Sequence, residues 1–168
     1  MMVDEKLERA RAILSSWAGE TDTPEAGRLD VTVAANDLVP AVAALNAAEW
    51  GYLAAITGVD LGFEANALEV LYHFCEGAAV LTLRVTVPYE AAEVPSLSKV
   101  IPSASFFERE LREMLGVEVA GLENKDYLFL PEAWPEGVYP LRKNFQSGDV
   151  DSRVMMPPVN GKAEREVQ

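Results

Sequence analysis

Leu68-Glu69-Val70-Leu71-Tyr72-His73-Phe74-Cys75-Glu76-Gly77-Ala78-Ala79-Val80-Leu81-Thr82-Leu83-Arg84-Val85-Thr86-Val87 reads as two strands, Leu68–Cys75 and Ala79–Val87, joined through a tight turn at Glu76-Gly77. In the second strand Leu81, Leu83, Val85 and Val87 share one face, while Thr82, Arg84 and Thr86 share the other. Such alternation belongs to a sheet with one buried and one wetter face, and hence to a largely antiparallel one. Upstream, Tyr52–Val59 is a third strand and Leu29-Asp30-Val31-Thr32-Val33 a short fourth. Leu7, Ala10, Ile13, Leu14 and Trp17 recur at helical spacing between Asp4 and Trp17, and Glu20–Arg28 reads as a loop. Asn36 or Asp37 can cap a second helix carrying Leu38, Val42 and Leu45, with Pro40 tolerated near its first turn.

Past Pro88 the period changes. Ser103 or Ser105 can cap a third helix, Ser105 and Glu108 having capping-box spacing. Phe107, Leu111, Met114 and Leu115 form its apolar face and Gly116 its stop. Beyond Gly121 periodicity fades, and Pro131, Pro135, Gly137, Pro140, Pro157 and Pro158 punctuate an extended segment. The expected fold is α+β: a largely antiparallel sheet of about four strands packed by helices, with an extended C-terminal tail. A core domain is expected over residues 1–122, and residues 123–168 form a proline-containing segment expected to dock on partners.

The chain has 168 residues and a net charge of −13, which disfavours nucleic acid and anionic lipid as partners. Met1-Met2-Val3-Asp4-Glu5-Lys6 is charged at once and does not read as a secretory leader. The stretch Leu38–Val59 is rich in alanine, broken by Pro40, and holds Asn46 and Glu49, so no membrane span is expected there. His73 and Cys75 are the only histidine and the only cysteine, and two such ligands cannot close a zinc site or hold an iron–sulfur cluster. Phosphate-cradling and nucleophile-elbow patterns are missing, so no catalytic, cofactor-binding or metal-binding residue is assigned. Carboxylates are plentiful, which leaves a stand-alone enzyme with an acid–base pair as one alternative.

Two segments stand out: Pro102-Ser-Ala-Ser-Phe-Phe-Glu-Arg-Glu-Leu-Arg-Glu-Met-Leu-Gly116, and Leu130-Pro-Glu-Ala-Trp-Pro-Glu-Gly-Val-Tyr-Pro-Leu-Arg-Lys-Asn-Phe145. On an isolated helix Glu108 would pair with Arg112, and Arg109 with Glu113, four residues on. Glu108, Arg109 and Glu110 point three ways, so one of them lies near the apolar face, where a charge needs a partner. Arg142-Lys143 is a basic spot on an acidic chain, and Trp134 and Tyr139 are aromatic anchors in a proline-rich run.

These segments, with looser likeness at Thr57-Gly58-Val59-Asp60 and Tyr72-His73-Phe74, resemble the 30 kDa subunit family of proton-pumping NADH:quinone oxidoreductase. The resemblance covers roughly residues 30–145. It implies a cofactor-free structural subunit on the cytoplasmic face of the inner (plasma) membrane, held there peripherally through its complex. The large quinone-site subunit and iron–sulfur subunits are the implied partners, and they would carry the NADH, flavin, iron–sulfur clusters and quinone. Glu108, Arg109, Glu110, Trp134, Tyr139, Arg142 and Lys143 become the expected partner interface. Gly121-Leu122-Glu123 stands where the family commonly has Gly-His-Pro, and Arg112-Glu113 replaces its aromatic-Asp pair. The related subunit of an energy-converting membrane-bound nickel–iron hydrogenase is the second alternative.

Overall fold

The hairpin forms the middle of the molecule. In the computed structural model, which describes residues 2–151 and 154, β4 (Ala67–Glu76) runs antiparallel to β5 (Ala79–Pro88), from Ala67 opposite Pro88 to Glu76 opposite Ala79. Gly77 takes φ 65°, the left-handed value a two-residue hairpin turn asks of its first position. β3 (Tyr52–Asp60) pairs antiparallel with the outer side of β4. β2 (Arg28–Val33) pairs with the other side of β5, and does so in parallel. Beyond it lies β1 (Ala18–Asp22), antiparallel to β2, giving the order β1-β2-β5-β4-β3. The sheet is therefore largely antiparallel, as expected, with five strands rather than about four.

The added strand, Ala18–Asp22, takes in the first three residues of the segment expected to be a loop, Glu20–Arg28. Ala-Gly-Glu-Thr-Asp carries no apolar alternation, because four of its five residues are exposed at the sheet's edge. The three helices, α1 (Val3–Leu14), α2 (Leu38–Ala47) and α3 (Ala104–Leu115), all pack on one face of the sheet. Leu7, Leu14, Leu38, Val42, Leu45 and Trp50 meet Val31, Tyr72, Phe74, Leu81 and Leu83 in one continuous core. The alanine-rich stretch Leu38–Val59 is thus a helix buried along one face and then a strand, and no helix among the described residues is long and apolar enough to cross a membrane.

α3 lies over β3, where Gly58 lets it come close. A Cβ on Gly58 would sit 2.1 Å from Leu115 Cδ1 and 2.7 Å from Leu111 Cδ1. A small parallel pair, β6 (Glu93–Pro95) with β7 (Glu118–Ala120), flanks the helix. Neither expected side-chain cap forms. Asp37 and Ser103 occupy the N-cap positions with helical backbone (ψ −6° and −18°), not the extended geometry from which a cap oxygen reaches the first amides. The Ser105 hydroxyl donates instead to the Pro102 carbonyl at 3.0 Å. The stop is as expected: Gly116 ends α3 at φ 66° with its N–H on the Arg112 carbonyl.

A candidate assembly surface organised by the third helix

Glu108 lies among Ala104, Leu111 and Leu115 on the buried stripe of α3, and is only 1% exposed. It is the member of the Glu-Arg-Glu triplet that faces the core. Its carboxylate accepts the Leu97 N–H at 2.6 Å and the Ser96 hydroxyl at 2.7 Å, which ties the segment after β6 to the helix. Burial pushes its carboxyl above the ordinary range, against the pull of the Leu97 amide and the Ser96 hydroxyl. Burial, with the charge of Glu108 added, likewise pushes the Tyr72 phenol far up.

The other charges of the helix hold the extended segment. Arg109 donates to the carbonyls of Asp126 and Tyr127, each at 2.9 Å. Arg112 donates to the Lys125 carbonyl at 2.8 Å and pairs with Glu118 at 3.8 Å. Glu113, also buried, accepts the amides of Leu128 at 2.8 Å, Phe129 at 2.9 Å and Leu130 at 3.4 Å. The expected pairs between Glu108 and Arg112 and between Arg109 and Glu113 are not among the ion pairs of the described residues. Unpaired backbone groups of a loop compete for the same side chains, and charge-assisted bonds to them win. The clamp displays Phe129, which is 62% exposed. Glu110 stays half-buried at the surface.

The second motif folds back onto the same helix end. The Tyr139 ring lies over Gly116, where a Cβ would meet it at 2.3 Å. The Leu141 amide donates to the Met114 carbonyl at 3.0 Å. Arg142 is half-buried: its Nε donates to the Leu115 carbonyl at 2.5 Å, its Nη1 to the Tyr89 carbonyl at 3.3 Å, and its guanidinium lies 4.2 Å from the centre of the Tyr89 ring. The Lys143 amide donates to Asp60 Oδ2 at 2.8 Å, while its side chain is exposed. Trp134 donates through Nε1 to the Val138 carbonyl and stacks on Phe145 at 6.3 Å between ring centres.

Of the interface residues named from sequence, Glu108, Arg109 and Arg142 therefore spend their charges inside this chain, while Lys143 and Glu110 keep theirs at the surface. Asp60 has no role that sequence alone assigns. Its carboxylate also takes the Gly62 N–H at 2.7 Å and the Tyr89 hydroxyl at 3.4 Å. Burial would raise its carboxyl, but the amides of Lys143 and Gly62, with Tyr89 and Arg142, outweigh that and hold it below the usual range. An Asp two residues before a Gly signals a local turn, and nothing local announces a tie to residue 143.

His73 sits on the uncovered face of the sheet with Nδ1 3.2 Å from the Thr82 hydroxyl, and burial lowers its imidazole pKa despite Asp30. No group of three or more His, Cys, Asp or Glu among the described residues is placed to hold a metal ion. Among the described residues each of the four buried carboxylates, Asp60, Glu69, Glu108 and Glu113, is bound to a donor of its own chain.

Residues 31–150 match the family model described as respiratory-chain NADH dehydrogenase, 30 Kd subunit. The chain is 32% identical to the NADH-quinone oxidoreductase C subunit of Ruegeria pomeroyi, over 92% of its own length and 80% of that protein. It is 35% identical to formate hydrogenlyase subunit 5 of Escherichia coli, over 70% of its own length, and spans only 21% of that longer protein. A chain in the structure of the membrane-bound sulfane sulfur reductase, an archaeal respiratory membrane complex, shares the fold with a TM-score of 0.73 at 21% identity, covering 98% of this chain and 99% of that one.

Proposed function

Since the chain belongs to the 30 kDa subunit family of respiratory-chain NADH dehydrogenase, we propose that it is a cofactor-free assembly subunit of a membrane-associated NADH:quinone oxidoreductase. It holds the large quinone-site subunit and the iron–sulfur subunits in register, while those partners carry electrons from NADH to quinone coupled to proton translocation. It sits peripherally on the cytoplasmic face of the membrane, through its partners. The observation that carries this reading is the clasp: α3 spends Arg109, Arg112 and Glu113 on the backbone of residues 125–130, and Asp60 and Met114 hold residues 141–143. An irregular segment fixed in this way becomes a rigid surface, which lowers the ordering cost of binding a partner. Phe129, Leu141 and Lys143 are its exposed contacts.

A second reading, the corresponding subunit of an energy-converting nickel–iron hydrogenase, is favoured by the higher identity to formate hydrogenlyase subunit 5. The near full-length match to the Ruegeria pomeroyi protein favours the first. Purification of the native assembly through a tag on this chain separates them. Flavin, iron–sulfur clusters and NADH-dependent quinone reduction are expected. Nickel and hydrogen turnover would replace the first reading with the second, and a chain that turns over substrate alone would overturn both.

A further inference from the structure

The two edges of the large sheet are built differently. β1 is short and carries Glu20 and Asp22, features that discourage further pairing, and each edge strand slips register once, β1 between Ala18 and Thr21 and the opposite edge between Leu53 and Ala55. β3, at the opposite edge, is Tyr-Leu-Ala-Ala-Ile-Thr-Gly-Val-Asp. It holds no Lys, Arg or Pro, and its one charge, on Asp60, is bound within the chain. Among the described residues, no hydrogen bond outside the sheet ladder reaches the backbone of residues 52–60. Alternate N–H and C=O groups of an edge strand point away from its neighbour, so this edge is an unfilled row of donors and acceptors.

The surroundings extend that row into a surface. A cleft of about 260 Å³ at the start of the strand is lined by Trp50, Tyr52, Leu53, Phe74 and Ile101. Val59, Leu61 and Phe63 are exposed at its other end, Phe63 by 75%. α3 overlies the strand, and the flank that holds residues 125–130 is the one bearing Arg109, Arg112 and Glu113. Phe107 and Met114, seven positions apart and thus nearly in line, are half-buried on the opposite flank.

We propose that the outer edge of β3 is a strand-addition site, where an extended, uncharged apolar segment of a partner polypeptide pairs with Tyr52–Asp60 as a sixth strand. This rests on the assembly reading above. Backbone pairing selects an extended chain, and pockets along the edge select its alternate side chains. The strand's one charge, on Asp60, is engaged by the Lys143 and Gly62 amides, so the edge selects neither a basic nor an acidic segment. A second copy is the wrong occupant, because it would bring two chains of net charge −13 edge to edge.

Residue-resolved hydrogen exchange on the full chain, alone and within its purified native assembly, tests this. Alternate amides between residues 55 and 60, where the ladder with β4 is regular, should slow on the order of tenfold or more on assembly, the others being protected already by β4. Thr57→Lys, at an exposed position of the strand, should leave the melting temperature unchanged and reduce incorporation into the assembly several-fold. Unchanged exchange at 55–60 in an intact assembly overturns the edge and leaves the assembly reading standing, as does slowing without alternation. A chain that co-purifies with no other subunit removes both. A dimer of the isolated chain that Thr57→Lys abolishes reassigns the edge to self-association.

Discussion

Glu108 and Asp60 are both buried carboxylates of the same domain, yet their environments push them in opposite directions. Asp60 is held low, so its contribution to stability is present above the ordinary aspartate value near 3.9 and is lost as pH falls through its folded value. Glu108 is held high, so the stability linked to its proton is full below the ordinary glutamate value near 4.3 and is lost as pH rises through its folded value. Urea melts between pH 3 and 8 should separate the two. Asp60→Asn should cost most near neutral pH, with the deficit shrinking towards acid. Glu108→Gln should match the parent at acid pH and equal or exceed it near neutral pH. Identical pH profiles for parent and variants would remove both assignments. Glu113 acts differently, since its bonds hold a loop rather than the core. Glu113→Ala should forfeit about 1.5–3 kcal/mol of charge-assisted bonding, expressed as faster tryptic cleavage after Lys125 more than as a lower melting temperature. Global unfolding at unchanged cleavage would mean that Glu113 supports the core instead.

Among the elements, the hairpin, the short strand β2 and the three helices are legible in the sequence because burial imposes period and burial is local to each element. β1 is not, because an exposed edge strand needs no apolar face: its backbone pairing with β2 forms it, and pairing leaves no mark in composition. The third helix is legible as a helix but not as a set of bonds. Its spacing suggests a circuit of i,i+4 pairs, whereas its charges reach carbonyls and amides 11 to 18 positions away in sequence. Arg142-Lys143 follows the same rule. One basic patch by sequence, the pair divides into a guanidinium bound to Leu115 and Tyr89 and an ammonium at the surface. The two should therefore respond separately. Arg142→Glu should destabilise the isolated chain, because it leaves two carbonyls unmet beside a new charge. Lys143→Glu should stay within about 0.5 kcal/mol of the parent by thermal melts and show its effect in pull-downs of the assembly. Equal losses of stability in both would return the pair to a single role.

For the whole molecule, the strands of the described residues end before residue 122, but the packing does not. The segment beyond it is fastened at Tyr127–Leu130 and at Tyr139–Lys143, and Val150 is only 4% exposed. Removing everything after Phe145 would take away a buried residue, whereas a chain ending at Asp151 should keep its circular dichroism and melting temperature. Unfolding of the chain that ends at Asp151 would extend the core past that residue. The apolar residues that the sequence groups around Pro157-Pro158 are Val150, Val154, Met155, Met156 and Val159, and the last three lie outside the described residues. The parallel pairing of β2 with β5 bears on how the chain reaches this state in time. Leu29 meets Leu81 across about fifty intervening residues, whereas β4 meets β5 across a two-residue turn. The closure entropy of so long a loop delays that contact until the hairpin and its antiparallel neighbour β3 have collapsed onto one another. β2 and β1 join that sheet afterwards, so a ribosome must release the chain through β5 before its amino-terminal strands find their places.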